Sequence, residues 1–457
     1  MKVLFLASEV APFASTGGLA DVAGSLPLAL GKLGVEVKIF MPRYRGVKFS
    51  RKRLSEKVGI HFVENEAYFN RASLYGNERG DYPDNLERFA FFCRAALESA
   101  KGLGFRPDVV HANDWQTAPA PVYLKTLFAG DPFFEKTKTL LTVHNLAYQG
   151  HFPHRLFPAL GLNEGLFSTE GFEFYGKVNL LKGGLLFADA LSTVSPTYAQ
   201  EMQTREYGWG LEGVIQKRRD KLRGILNGIN RALWNPARDR FIAERYSARS
   251  PGGKAACKAF LQKDCGFAAD PATPVFAMVS RLAEQKGIDI LLEAADDFLS
   301  KKVNFVLLGE GDGAYATPIQ NMKRRHPGKT AAFLEFDIRR AHRIYAGADF
   351  FLMPSLFEPC GLGQLISLAY GTLPIVRRTG GLADTITDID ADKKAGSGLV
   401  FEERSSADFL SAIDRARAAF GDQTRLASLR QSAMRRDFSW EKSAGEYLKY
   451  YREMAGS

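Results

Sequence analysis

An α/β protein with two doubly wound, largely parallel sheets is the fold class this sequence predicts. Three observations predict it. Short apolar runs rich in β-branched and aromatic residues alternate with helical-period segments from end to end. The apolar runs are continuous rather than alternating, as strands covered on both faces read. The alternation comes in two series of about five strands, separated by a stretch rich in Pro and Gly.

In the first series, Lys2–Leu6, Val35–Phe40, Val109–His111, Thr139–Val143 and Leu191–Val194 read as buried parallel strands. Leu19–Leu33 and Trp115–Leu127 read as helices between them. Residues 45–89 are polar and irregular, with Tyr, Asn and Gly, and read as hairpins or an insertion. Pro and Gly cluster between Asn235-Pro236 and Ser250-Pro251-Gly252-Gly253, and a new helical pattern starts at Lys254, so a domain boundary is expected there. In the second series the strands are Val275–Val279, Val303–Leu308, Ala331–Leu334, Phe350–Leu352 and Pro374–Val376. Ile288–Leu299, His342–Ala346 and Leu362–Tyr370 are the helices, and Trp440 to Met454 forms a last amphipathic helix.

Composition narrows the class further. The 457 residues suit two to four domains at roughly 100–200 residues each. With 46% hydrophobic and 25% charged residues the chain is globular, not disordered or collagenous. No run reaches the roughly 18 apolar residues of a membrane span, so no membrane partner is expected. Met1 to Val10 carries one Lys and then Glu9, too brief an apolar run for a secretory signal, and reads as the first strand. Cys93, Cys257, Cys265 and Cys360 form no CxxC pair and read as reduced thiols, hence a cytoplasmic location. The net charge of +10 admits an anionic partner. The basic runs Arg51-Lys52-Arg53, Lys217-Arg218-Arg219 and Lys323-Arg324-Arg325 are short and carry no recognition pattern. They read as solvated faces, which argues against nucleic acid and leaves an anionic small substrate open.

Several motifs sit where strands end. Ser15-Thr16-Gly17-Gly18-Leu19-Ala20-Asp21 joins the first strand to a helix; its glycines make either a tight turn or a backbone cradle for an anion. Without GxGxxG, nicotinamide chemistry is not favoured. His111-Ala-Asn-Asp114-Trp115 and His144-Asn145 also end strands, the edge where open α/β sheets bind ligands. Ser280-Arg281-Leu-Ala-Glu-Gln-Lys286-Gly287 places two cations across one loop; they either hold a diphosphate or pair with Glu284. Phe357-Glu358-Pro359-Cys360-Gly361-Leu362-Gly363 opens a helix whose N–H groups suit phosphate, while Glu358 suits sugar hydroxyls. Cys360 has no neighbouring His that would make it a nucleophile. His151-x-x-His154 stands beside Pro153 with no further ligands, and Asp388-Ile389-Asp390 reads as a solvated loop, so neither metal nor cofactor is expected.

Together these residues resemble the bacterial glycogen (starch) synthases, retaining glycosyltransferases of the GT-B fold. The resemblance runs nearly the whole length. It rests on Thr16-Gly-Gly-Leu-Ala-Asp21, His144-Asn-Leu-Ala-Tyr-Gln-Gly150, Leu181-Lys-Gly-Gly-Leu185, Thr193-Val-Ser-Pro-Thr-Tyr198, Tyr207-Gly-Trp-Gly-Leu-Glu-Gly213 and Ile225-Leu-Asn-Gly-Ile229. The second half adds Ser280 to Gly287, His342-Arg-Ile-Tyr-Ala-Gly-Ala-Asp349, Glu358-Pro-Cys-Gly-Leu362 and Tyr370 to Leu382.

The resemblance implies transfer of glucose from ADP-glucose, or UDP-glucose, to the non-reducing end of an α-1,4-glucan, without metal or cofactor. It implies two Rossmann-like domains facing a cleft: 1–240 on the acceptor side and 241–435 on the donor side, with 436–457 a helix crossing back. Arg281 and Lys286 are expected to hold the donor phosphates, helped by backbone groups at Gly17, Gly18, Cys360, Gly361 and Leu362. Glu358 and His144 are expected on the glucose hydroxyls, with Asp114 and Asp21 organising the site. Phe336 is expected beside the donor base, or else in the core.

Three positions depart from the family pattern. Ser15 stands where a Lys is usual, Gly363 where many relatives have Thr, and Ile366 where many GT-B enzymes have a second Glu. The first two bear on the choice between ADP- and UDP-glucose. A catalytically weakened glucan- or nucleotide-sugar-binding protein, and a transferase with another acceptor, are the competing readings.

Overall fold

The computed structural model describes residues 1–78, 80–392 and 396–456. The chain divides into two compact units, Met1–Gly228 with Trp440–Ser457, and Ile229–Ser439. Among the described residues the first unit carries an eight-stranded sheet. Its spatial order is Leu222–Gly224, Ala190–Thr193, Lys138–Val143, Val109–Asn113, Lys2–Leu6, Glu36–Pro42, Val58–Val63 and Arg51–Arg53. All neighbours are parallel except the last pair. The second unit carries a six-stranded parallel sheet, ordered Thr330–Phe333, Asn304–Leu308, Val275–Val279, Phe350–Met353, Leu373–Arg377 and Leu399–Phe401.

The central strands are apolar because helices cover both faces. Val3, Leu4, Phe5 and Leu6 are fully buried, as are Phe276 and Ala277 in the second unit. Each buried Val, Leu or Phe among them contributes about 1.5–3 kcal/mol. Each sheet also has a switch point, where successive connections leave to opposite sides. In the first it lies between Lys2–Leu6 and Val109–Asn113, in the second between Val275–Val279 and Phe350–Met353. Loops part there at the C-terminal strand edge and leave a crevice.

The division falls at Gly228/Ile229 and Ser439/Trp440, not at 240/241 and 435/436. The physical cause is packing. Ile229 and Tyr246 lie in the second core. Asp239 accepts hydrogen bonds there from Tyr370 Oη (2.6 Å) and pairs with His342 Nδ1 (2.6 Å). At the other end, Arg436 Nη1 donates to Thr385 O (3.3 Å), which keeps it in the second unit.

The helix Trp440–Gly456 belongs to the first unit's core, where Tyr447 and Tyr451 are fully buried. Tyr451 Oη bonds His111 Nδ1 (2.7 Å), and His111 Nε2 bonds Thr142 Oγ1 (2.6 Å). Lys32 on the helix Gly18–Lys32 pairs with Glu441 (2.6 Å).

Sequence reading and structure differ elsewhere too. Residues 45–89 include a core strand, Val58–Val63, and the start of a long helix, Asn85–Gly102. The helix expected over Trp115–Leu127 forms only at Pro119–Lys125. Its opening turns are taken up by Thr117, whose Oγ1 bonds the N–H (2.5 Å) and C=O (2.7 Å) of Asn113. Asp388 and Asp390 lie at a turn, where Asp390 is exposed as expected of a solvated loop, but both carboxylates are ion-paired. Asp388 accepts from Arg415 (2.5 Å) and Val400 N (2.7 Å), and Asp390 pairs with Arg415 (2.8 Å) and Arg425 (3.3 Å).

Candidate active site

In the first unit, three adjacent strands end at the switch point and carry the motif residues. After Lys2–Leu6 the chain loops outward to Ser15, Thr16, Gly17 and Gly18. A buried carboxylate just beyond the first strand fixes this loop. Glu9, 4% exposed, accepts from Thr16 N (2.5 Å), Thr16 Oγ1 (2.6 Å) and Tyr75 Oη (2.6 Å). A side chain added at Gly17 or Gly18 would meet nothing within 4 Å, so the start of the helix is open. Its unpaired N–H groups and positive dipole end suit an anion. Ser15 is exposed. Of the nearby cations, Arg43 pairs with Glu64 (2.7 Å) and Arg45 donates to Asn70 (3.1 Å). Asp21, on the first helical turn, reaches solvent, yet surrounding protein and then Glu9 raise its carboxyl above the ordinary value.

Asp114 and His144 end the two neighbouring strands. Asp114 is a non-glycine residue in the left-handed region, φ 57°. That turn aims Oδ1 at the N–H of His144 (2.7 Å). Desolvation pushes its carboxyl up to about 7, opposed by the N–H groups of His144 and Asn145 and assisted by Glu9. The imidazole of His144 is held down to about 3 by burial, so it is neutral. Asn113 spends its amide N–H on Leu6 O (2.9 Å) and turns Oδ1 to His144 Nε2 (2.9 Å). His144 Nε2 therefore carries the proton, and Nδ1 is left as an acceptor for a hydroxyl.

In the second unit the loops after Val275–Val279 and Phe350–Met353 touch. A Cβ at Gly287, where φ is 69°, would stand 1.9 Å from Pro354 O, so only glycine fits. This closeness joins two motifs that lie 72 residues apart: Lys286 Nζ pairs with Glu358 Oε2 at 2.6 Å. Ser355 Oγ donates to the same carboxylate oxygen (3.2 Å), and Glu358 is 5% exposed. An ammonium has three donors, so Lys286 is aimed by Glu358 and keeps two for a ligand. Arg281 is exposed, and its guanidinium bonds to nothing among the described residues.

Glu358 is followed by buried Cys360, then Gly361 at φ 74°, Leu362 and the helix Gly363–Ala369. Gln364 Nε2 donates to Cys360 O (2.9 Å) and holds this turn. At Gly363 a Cβ would lie 2.8 Å from the ring of Phe351, which fills the volume a threonine needs. Phe336 is 76% exposed at the same sheet edge, after the strand Thr330–Phe333, so it is not a core side chain. Thus Ser15, Gly17, Gly18, Asp21, Asp114 and His144 share one edge of the first sheet. Arg281, Lys286, Phe336, Glu358, Cys360, Gly361 and Leu362 share the corresponding edge of the second.

Among the described residues no group of three or more His, Cys, Asp and Glu side chains could hold a metal ion. His151 stacks on Phe174 and His154 pairs with Glu164 (2.8 Å). No described helix is long and apolar enough to cross a membrane.

Two doubly wound α/β units, each with a polar edge at its switch point, have the architecture of the GT-B glycosyltransferases. Residues 2–217 match the starch synthase catalytic domain family and residues 266–425 match the glycosyl transferases group 1 family. The chain is 46% identical to glycogen synthase 2 of Geobacter sulfurreducens, covering 100% of this chain and 99% of that protein. It is 45% identical to the glycogen synthase of Syntrophotalea carbinolica, covering 99% of each. The catalytic domain of starch synthase IV from Arabidopsis thaliana, solved with ADP and acarbose, superposes with a TM-score of 0.92 at 32% identity, over 100% of this chain and 99% of that one. The chain belongs to the glycogen synthase family.

Proposed function

We propose that this glycosyltransferase moves glucose from ADP-glucose to the non-reducing end of an α-1,4-glucan with retention of configuration, in the cytoplasm. The observation that carries this reading is the Lys286–Glu358 pair at the loop that also bears exposed Arg281: cations for a diphosphate and a carboxylate for sugar hydroxyls. Its support comes from the family and from the plant relative solved with ADP and acarbose.

In this reading Arg281 and Lys286 bind the donor diphosphate, and N–H groups at Gly361 and Leu362 add to them. The bond from the anomeric carbon to the phosphate oxygen breaks, and the charge left on ADP is met by these preset donors, the largest catalytic contribution expected. The acceptor O4 attacks from the face the diphosphate leaves, and its proton passes to the departing phosphate oxygen. In the second unit Glu358 suits glucose hydroxyls; in the first, neutral His144 suits a sugar hydroxyl through Nδ1 as an acceptor. Asp114 fixes the His144 loop. The Gly17–Gly18 helix start offers a further anion contact, weakened by Ser15. UDP-glucose is the alternative donor.

Labelled ADP-glucose and UDP-glucose, each incubated with glycogen, test the reading. Incorporation from ADP-glucose is expected. Glu358→Ala and His144→Ala should fold and lose most turnover. A chain that binds both ligands yet transfers nothing, or variants with wild-type kcat, would overturn it.

A further inference from the structure

Two aromatic side chains in the first unit occupy backbone positions that favour other residues. Tyr175 and Gly176 form the two-residue loop between the strands Glu173–Phe174 and Lys177–Asn179, with φ 49° and 76°. Trp209 and Gly210 form a second such turn, with φ 52° and 81°, closed by Leu211 N donating to Gly208 O (2.8 Å). Positive φ at both central residues is the type I′ pattern, whose first position prefers Asn, Asp or Gly. A bulky side chain there is strained, and such strain persists where function retains it. Tyr175 is 83% exposed and Trp209 47% exposed, so the rings do not offset the strain by filling the core.

The two turns are built against each other. A Cβ at Gly210 would lie 2.9 Å from the ring of Phe174 and 3.8 Å from that of Tyr175, so the Tyr175 ring lies on the Gly210 backbone. A buried amide ties both to the His144 loop. Gln149 Nε2 donates to Trp209 O (3.1 Å), and Gln149 Oε1 accepts from Asn179 Nδ2 (2.6 Å). Tyr148, 53% exposed, is its neighbour in the chain.

We propose that Tyr175 and Trp209 form a stacking platform for the glucan chain, holding glucose units behind the end being extended. The apolar C–H face of a pyranose packs on the electron-rich face of an aromatic ring. Exposed rings at rigid corners supply that contact with few side-chain rotors to order. The platform rests on the function proposed above and adds specificity for a polymeric acceptor over a short one.

The turn geometry supplies the test. Tyr175→Asn and Trp209→Asn remove each ring while installing the residue the turn prefers, so both variants should be at least as heat-stable as the wild type. Maltoheptaose titrated into the protein with no donor present should bind about three- to tenfold more weakly to each variant and more weakly still to the double variant. Tyr175→Phe and Trp209→Phe should retain binding, and ADP affinity should stay as in the wild type. Undiminished maltoheptaose binding by the folded double Asn variant overturns the platform and leaves the proposed function standing. A wild type that neither binds maltoheptaose nor extends glycogen overturns both.

Discussion

Replacing Asp114 by Asn should make the protein more stable, and more so as pH rises. The side chain lies at φ 57°, where Asn is as well tolerated as Asp, and an amide Oδ1 can still accept the His144 N–H. The ionisable group is lost, and one of the two carboxylate oxygens that face the N–H groups of His144 and Asn145 becomes an amide nitrogen. Burial lifts the Asp114 carboxyl from 3.8 to about 7 in the folded chain. Below 3.8 folded and unfolded forms both keep the proton, and the group costs nothing. Between 3.8 and about 7 only the unfolded chain ionises, so stability falls across that window, and above it the full cost remains. At about 1.4 kcal/mol per tenfold the displacement amounts to about 4 kcal/mol. Asp114 is only half-buried, and water at the carboxylate screens about half of this, leaving about 2 kcal/mol at pH 8 and under about 1 kcal/mol at pH 5. A unit of this size gains about 2–4 °C per kcal/mol, so the variant should melt about 4–8 °C above the wild type at pH 8, with a smaller gap at pH 5. Calorimetry of both proteins at the two pH values measures it. An equal gap at both would refute the desolvation argument.

Ser15→Lys should lower the donor KM several-fold at low ionic strength and less at high, because the added ammonium meets the donor as a screened point charge; equal KM values at both salts would take position 15 out of the donor site. Tyr451→Phe removes the partner of buried His111 Nδ1 and should cost about 1–3 kcal/mol, read from urea unfolding of the two proteins. Glucose transfer should survive EDTA, since Arg281 and Lys286 can neutralise the leaving diphosphate; loss with EDTA and recovery with Mg²⁺ would contradict this.

The parts legible in the sequence were those with a repeating physical signal. Lys2–Leu6 and Val275–Val279 read correctly because strands covered on both faces are apolar without interruption. Val58–Val63 was missed because Gly59 and His61 interrupt the run and a charged edge strand, Arg51–Arg53, lies beside it. The glycine loops were visible as motifs. Glu9 was not, since a carboxylate that bonds a loop seven residues on leaves no periodicity, although a charge directly after a buried strand was a usable sign. The Lys286–Glu358 pair needs two loops brought together by Gly287, a contact that spacing alone does not encode.

The return of Trp440–Gly456 to the first unit sets an order of events during synthesis. The second unit, Ile229–Ser439, is contiguous and has all its residues once Ser439 has left the ribosome. The first unit, begun earlier, lacks the tyrosines that close its core until the last helix emerges. At about 5–20 residues per second the intervening stretch delays that closure by roughly 10–40 s. Meanwhile the buried ring of His111 has no Tyr451 and the helix Gly18–Lys32 has a bare flank. A released chain ending at Ser439 should therefore protect the second unit from protease and leave the first open to it, the reverse of the order in which they were made.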